Sequence, residues 1–91
     1  PFSRLIKLVY AHKDNEKAQS HALSLKRQID QALGREFEGE ILGPSPSFVP
    51  KKNNRYYWHV IIKHQGEKSV EELLRQIPDD WIIDIDPFTL L

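Results

Sequence analysis

The sequence predicts an α+β domain of β-α-β-β-α-β order, and three observations predict it. Runs rich in β-branched and aromatic residues recur at Arg4–His12, Arg55–His64 and Trp81–Asp86, the composition of strands. Between the first two, Ala18, Ala22, Leu25, Ile29 and Ala32 recur at steps of four and three, which makes one apolar stripe on a helix. Ahead of the last, Ser69 and Glu72 have the spacing of a capping box, the opening of a second helix. With right-handed crossovers this order closes into a two-layer sandwich, a four-stranded antiparallel sheet with both helices on one face. The other face has no helix to cover it, and a binding function belongs there.

In the first strand Ile6, Leu8 and Tyr10 share one side, while Leu5, Lys7, Val9 and Ala11 share the other. Both sides are largely apolar, as expected of a central strand. Asp14 is placed to cap the first helix, which runs over roughly 15–33, because its carboxylate can accept from the orphan amides of the first turn. Gly34 falls where a left-handed C-cap is needed. Phe37 to Leu42 reads as a short second strand. Gly43 to Asn54 reads as a long loop that Pro44, Pro46 and Pro50 stiffen near its base, since proline removes ladder donors and holds its predecessor extended.

The third strand alternates Tyr56, Trp58, Val60 and Ile62 with Tyr57, His59, Ile61 and Lys63. A turn follows at Gln65–Lys68. The short second helix turns Val70, Leu73, Leu74 and Ile77 inward, and Pro78 ends it. The last strand is Trp81–Asp86, with Pro87 as its stop. Trp58 and Trp81 read as core residues rather than exposed platforms.

The bulk properties narrow the function. With 91 residues the chain has room for a single domain, 1–91. Lysine and arginine number 13, as do aspartate and glutamate, so any basic site must be local. Cysteine is absent, which excludes disulfides and thiolate metal sites. No apolar run reaches the roughly 20 residues of a membrane span, so the expectation is a cytoplasmic protein with no membrane partner. Methionine is also absent and the chain opens on a strand-like sequence, which is expected of a piece of a longer protein.

One local concentration of charge stands out. Lys51, Lys52 and Arg55 lie within five residues, and Lys63 lies further along the same strand. If Tyr56 and Trp58 face the helices, then Arg55, Tyr57, His59 and Lys63 face the open side. Cations neutralise phosphates and aromatic faces stack unpaired bases, so these residues make a candidate DNA-binding set. The plain alternative is a solvated hairpin whose charges protect an exposed strand from aggregation.

Other chemistry finds little support. Asp84 and Asp86 at i and i+2 could hold a divalent cation, and the string WIIDIDPFT resembles the start of aspartyl-phosphate phosphatases. The threonine is one place late, however, and the motif lies at the end of the chain. His12, His21, His59 and His64 include no H-x-x-x-H pair, which leaves no zinc ligand set; His59 is the one contact candidate, and the others read as surface or strand-end residues. There is no G-x-S-x-G elbow and no phosphate-cradling P-loop. Neither a catalytic residue, a metal ligand nor a cofactor is expected in this chain.

Four strings in order resemble the C-terminal domain of the PriA-type primosomal helicases: Pro1-Phe2 before the first strand, Leu42-Gly43-Pro44-Ser45-Pro46, Arg55-Tyr56-Tyr57-Trp58 running to Lys63, and Asp84-Ile85-Asp86-Pro87. The resemblance implies a bacterial ATP-dependent 3′–5′ DNA helicase that acts in replication restart at abandoned forks, cytoplasmic and nucleoid-associated. Its C-terminal domain is ribosomal-protein-like, of the ferredoxin-like order, packs on the helicase core and helps engage branched or single-stranded DNA. The parent also binds single-stranded DNA-binding protein, and Lys68 corresponds to a basic residue at that pocket. ATP with magnesium, and zinc, belong to the parent's other parts, so unwinding does not carry over to this chain. The rival reading is a protein-docking module in which the 43–54 arm clamps the helicase core or single-stranded DNA-binding protein without touching DNA.

Overall fold

The computed structural model describes residues 3–34, 39–65 and 71–89. They form β1 (Ser3–His12), α1 (Asn15–Leu33), β2 (Gly39–Lys52), β3 (Arg55–Gln65), α2 (Glu71–Arg75) and β4 (Ile82–Thr89). The protein is α+β, with an antiparallel sheet and two helices. The strands lie in the order β2-β3-β1-β4, which makes β3 and β1 central and β2 and β4 the edges.

The expected alternation holds along the central strands. Ile6 pairs with Ile62, Leu8 with Val60 and Tyr10 with Trp58, and all six are buried. Opposed residues of an antiparallel pair share a face, so these six form one apolar layer. On α1, Ala18, Ala22, Leu25 and Ile29 are buried against it, and Leu73, Ile77 and Trp81 complete the cluster. Burying a large apolar side chain stabilises the fold by about 1.5–3 kcal/mol, and this cluster is where that gain is concentrated.

The helix ends where the sequence says it should. One Asp14 carboxylate oxygen accepts from the amides of Glu16 at 2.9 Å and Lys17 at 3.3 Å. At the other end Gly34 takes φ +68° and donates its N–H to the Asp30 carbonyl at 3.2 Å. The indole N–H of Trp58 donates to the Asn15 side-chain oxygen at 2.8 Å. A buried indole needs such a partner, and this one ties the first turn of α1 to the middle of β3. Ala32, assigned to the inner stripe, is instead exposed, and Leu33 packs against the core in its place. A step of four from Ile29 reaches Leu33, whose larger side chain gains more from burial than alanine does.

Two expectations need correction. The segment from Gly43 is not a loop: β2 continues from Gly39 to Lys52, and Asn53 and Asn54 alone make the turn, at φ 52° and 64°. Positive φ at both positions is the two-residue hairpin geometry whose twist matches the strands. The prolines are tolerated because β2 is an edge strand and its pairing shifts register between Leu42 and Ser45 and between Pro46 and Lys51, which removes the demand for their missing donors.

Nor does Pro87 stop the last strand. β4 runs on to Thr89, and a register shift between Ser3 and Leu5 of β1 absorbs the proline. His64 does stand at the strand end, one residue before β3 closes, and it is buried at 4% exposure, because an even-numbered residue of β3 faces the helices. Phe37, the turn at 66–68, Lys68, Ser69 and Val70 lie outside the described residues, as do the Glu72 side chain of the expected capping box and the Pro1-Phe2 string.

Candidate nucleic-acid interface

Register fixes what the open face carries. Across it, Glu40, Lys63 and Leu5 make one row; Leu42, Ile61, Lys7 and Asp84 make the next; Ser45, His59, Val9 and Ile82 follow; Tyr57 and Ala11 come last. Lys63 stands opposite Glu40, and Lys7 opposite Asp84. Away from the β2–β3 turn the described charges on this face therefore alternate in sign, and neighbouring carboxylates partly cancel the attraction of Lys63 for a phosphate. Tyr57, His59 and Lys63 are half-buried. They offer ring edges and faces rather than a cationic surface.

Cations with no carboxylate opposite them in the ladder gather at the β2–β3 turn. Lys52 pairs with Arg55 and Lys51 with Tyr56, and the Lys51 ammonium lies 5.2 Å from the centre of the Tyr56 ring, within reach of its negative face. Because His12 at the end of β1 pairs with Tyr56, the β1–α1 turn lies beside the hairpin and brings Lys13 with it. Lys13, Lys51, Asn53, Asn54, Arg55 and Tyr56 line an open cleft of about 350 Å³. Lys13, Lys51, Lys52 and Arg55 are all exposed. Three cations and two side-chain amides thus converge with one aromatic ring, and Lys52 stands beside them opposite Arg55. Lys63, eight residues along β3 from Arg55 and so about 26 Å away, is not part of this group.

Of the residues assigned from sequence, Lys51 and Arg55 come together at the cleft, Lys52 lies beside it opposite Arg55, and Tyr57 opens the adjoining row of the sheet. Lys13 was missed. The signal that finds it is the pairing of the end of β1 with the start of β3, which a local reading of composition does not contain.

His59 behaves as a neutral ring. Burial, and then the Lys7 ammonium nearby, hold its pKa below the ordinary histidine value. Its Nδ1 lies 3.4 Å from the Ser47 hydroxyl. The unfolded chain therefore takes up this proton at a higher pH than the folded one, so stability falls as pH drops through about 6.5 and levels off below the folded value. The His59→Gln variant is expected to lose that part of the slope between pH 7 and 5 in paired urea denaturation curves. An identical slope in both proteins overturns the assignment.

Asp84 is exposed on β4, and the Asp86 side chain lies outside the described residues. Among the described residues no three His, Asp or Glu side chains converge as metal ligands. The Tyr10 ring stacks on those of His12 and His21, at 6.3 and 5.1 Å between centroids. Among the described residues no helix is long and apolar enough to cross a membrane. Compared with known families, residues 1–88 match the family model described as the primosomal protein N C-terminal domain.

Proposed function

The chain belongs to the primosomal protein N C-terminal domain family, which supports a role in primosomal replication restart, and from this we propose that it is the accessory DNA-binding domain of a replication-restart helicase. It holds the sugar–phosphate backbone of branched or forked DNA at the β2–β3 turn. Lys13, Lys51, Lys52 and Arg55 neutralise phosphates, Asn53 and Asn54 offer amide donors, and Tyr57 stacks on a base exposed at the branch. Such contacts fix position without reading sequence, which suits a protein that must act at forks of any sequence. ATP-driven unwinding is the work of the motor of the longer helicase, to which this domain adds grip. The observation that carries the reading is the convergence of three exposed cations, Lys13, Lys51 and Arg55, at one cleft, with Lys52 beside it on the same turn, in a chain whose net charge is zero.

The test is a titration of the 91-residue chain into a fluorescent forked duplex at several salt concentrations, followed by anisotropy. Micromolar binding is expected, with log K falling against log salt at a slope of about −3, the value for four phosphate contacts at 0.7–0.9 each. Absent or salt-insensitive binding overturns the proposal and leaves docking to the helicase core as the domain's task.

A further inference from the structure

The two edges of the sheet are unlike. The β2 edge is guarded by Pro44, Pro46 and two register shifts, the usual devices against adding a strand. The β4 edge has none of these over its first four residues. Ile82, Ile83 and Ile85 are 56, 40 and 49% exposed. α1 packs on β1, β2 and β3, which leaves the helix side of β4 open at Ile83 and Ile85, while Ile82 is open on the other side. Three isoleucines exposed on both faces of one edge strand are unusual for a surface that meets only water.

The same edge is acidic. Asp79, Asp80 and Asp84 are exposed within six residues that contain no cation; Lys7 of β1 stands opposite Asp84 alone, which leaves the segment net acidic. Beside it, an open pocket of about 290 Å³ is lined by His21, Gln28, Pro78, Asp80 and Trp81, among others. A flexible cationic side chain laid there meets a carboxylate and the edge of an indole.

We infer that the β4 edge receives an extended segment of a partner protein, added as a further strand, whose side chains alternate between apolar and basic. The alternation follows from the pleat. Ile83 and Ile85 point to the helix side and Ile82 and Asp84 to the other, because opposed residues share a face and they pair with Leu8, Ile6, Val9 and Lys7 respectively. A strand lying alongside must therefore present apolar side chains to Ile83 and Ile85, and on its other face a cation to Asp84. Main-chain hydrogen bonds to the outward groups of β4 supply affinity, and the acidic flank supplies the sign. A second copy of this chain is disfavoured, because edge-to-edge pairing of two β4 strands brings like charges together. Nucleic acid is disfavoured for the same reason. The surface is separate from the cationic cleft, so the two proposals stand or fall independently.

The probe is a peptide of about six residues alternating valine and lysine, titrated into the whole ¹⁵N-labelled chain and followed by amide shifts. Expected are saturable shifts at residues 82–86 and slower exchange of the outward β4 amides. The Asp84→Asn variant should bind about three- to fivefold more weakly, as expected for one cross-strand charge pair. A valine–glutamate peptide should bind more weakly than the valine–lysine one, and a central proline in the latter should abolish binding by removing ladder donors. Shifts confined to other elements, equal binding of the valine–glutamate peptide, or unchanged affinity with the central proline would each overturn the inference. So would a concentration-dependent dimer that perturbs the same amides and that the peptide does not disperse, which would make the occupant a second copy.

Discussion

Reversing Lys51, Lys52 and Arg55 together to glutamate is expected to weaken binding of forked DNA by about a hundredfold or more near 0.1 M salt. Three lost phosphate contacts remove about 2–3 from the slope of log K against log salt, and near 0.1 M salt that slope is worth a similar number of decades. Repulsion by the three new carboxylates adds to the loss. The fold should survive, because all three side chains are exposed at or beside a two-residue turn, where surface substitutions cost little. Lys63→Glu is the matched control. It stands opposite Glu40 and about 26 Å from Arg55 along the strand, so it should change affinity far less than the triple variant. Anisotropy titrations with the same fork measure both. A triple variant with unchanged affinity and slope would remove the cleft from the mechanism, and a Lys63→Glu effect as large as the triple would move the site onto the open face.

Gly43→Ala carries the largest expected effect on stability. Gly43 adopts φ +105°, and a β-carbon there would stand 2.8 Å from the His59 carbonyl oxygen and 3.5 Å from the Val60 Cα. Neither neighbour can give way cheaply, since both are backbone of a central strand. The left-handed conformation and the close approach together cost about 2–4 kcal/mol. For a domain of this size that is a drop in Tm of about 8–30 °C. The damage should also reach function, because the same register shift sets Ser45 opposite His59 and leads on to the cationic turn. Thermal and urea denaturation followed by circular dichroism check the first point. A melting curve that superimposes on the parent would show that the strand relaxes around the added methyl.

Local chemistry made most of the architecture legible. Asp14 and Gly34 bracket α1 because capping needs only a few neighbouring atoms, and the alternation of β3 separates core from open face because its period is set by the pleat. What stayed hidden depends on partners distant in sequence. The prolines of β2 argued against a strand, and only its edge position and register shifts make them acceptable. Asn53-Asn54 was the overlooked clue, two residues that both tolerate positive φ between extended segments. Lys13 joins the cleft through the pairing of His12 with Tyr56, and the charge of Lys63 is offset because Glu40 lies across the ladder. Neither is a property of the residue's own neighbourhood. The exposure of Ile83 and Ile85 was equally out of reach, since a strand's composition does not say whether a helix will lie over it.

The pairing of Ser3 with both Gln65 and Thr89 brings the first and last described strands together at one corner, while the cationic turn sits where β1 finishes. Ten residues of extended chain, about 33 Å, separate the two, most of the molecule's 39 Å long axis. The charged cleft is thus held at the pole opposite the corner where the described strands begin and end. On the proposed reading, a pull exerted by nucleic acid at the cleft would run through the length of the two central strands, along their covalent backbone and in shear against their hydrogen bonds, the direction in which a sheet yields least.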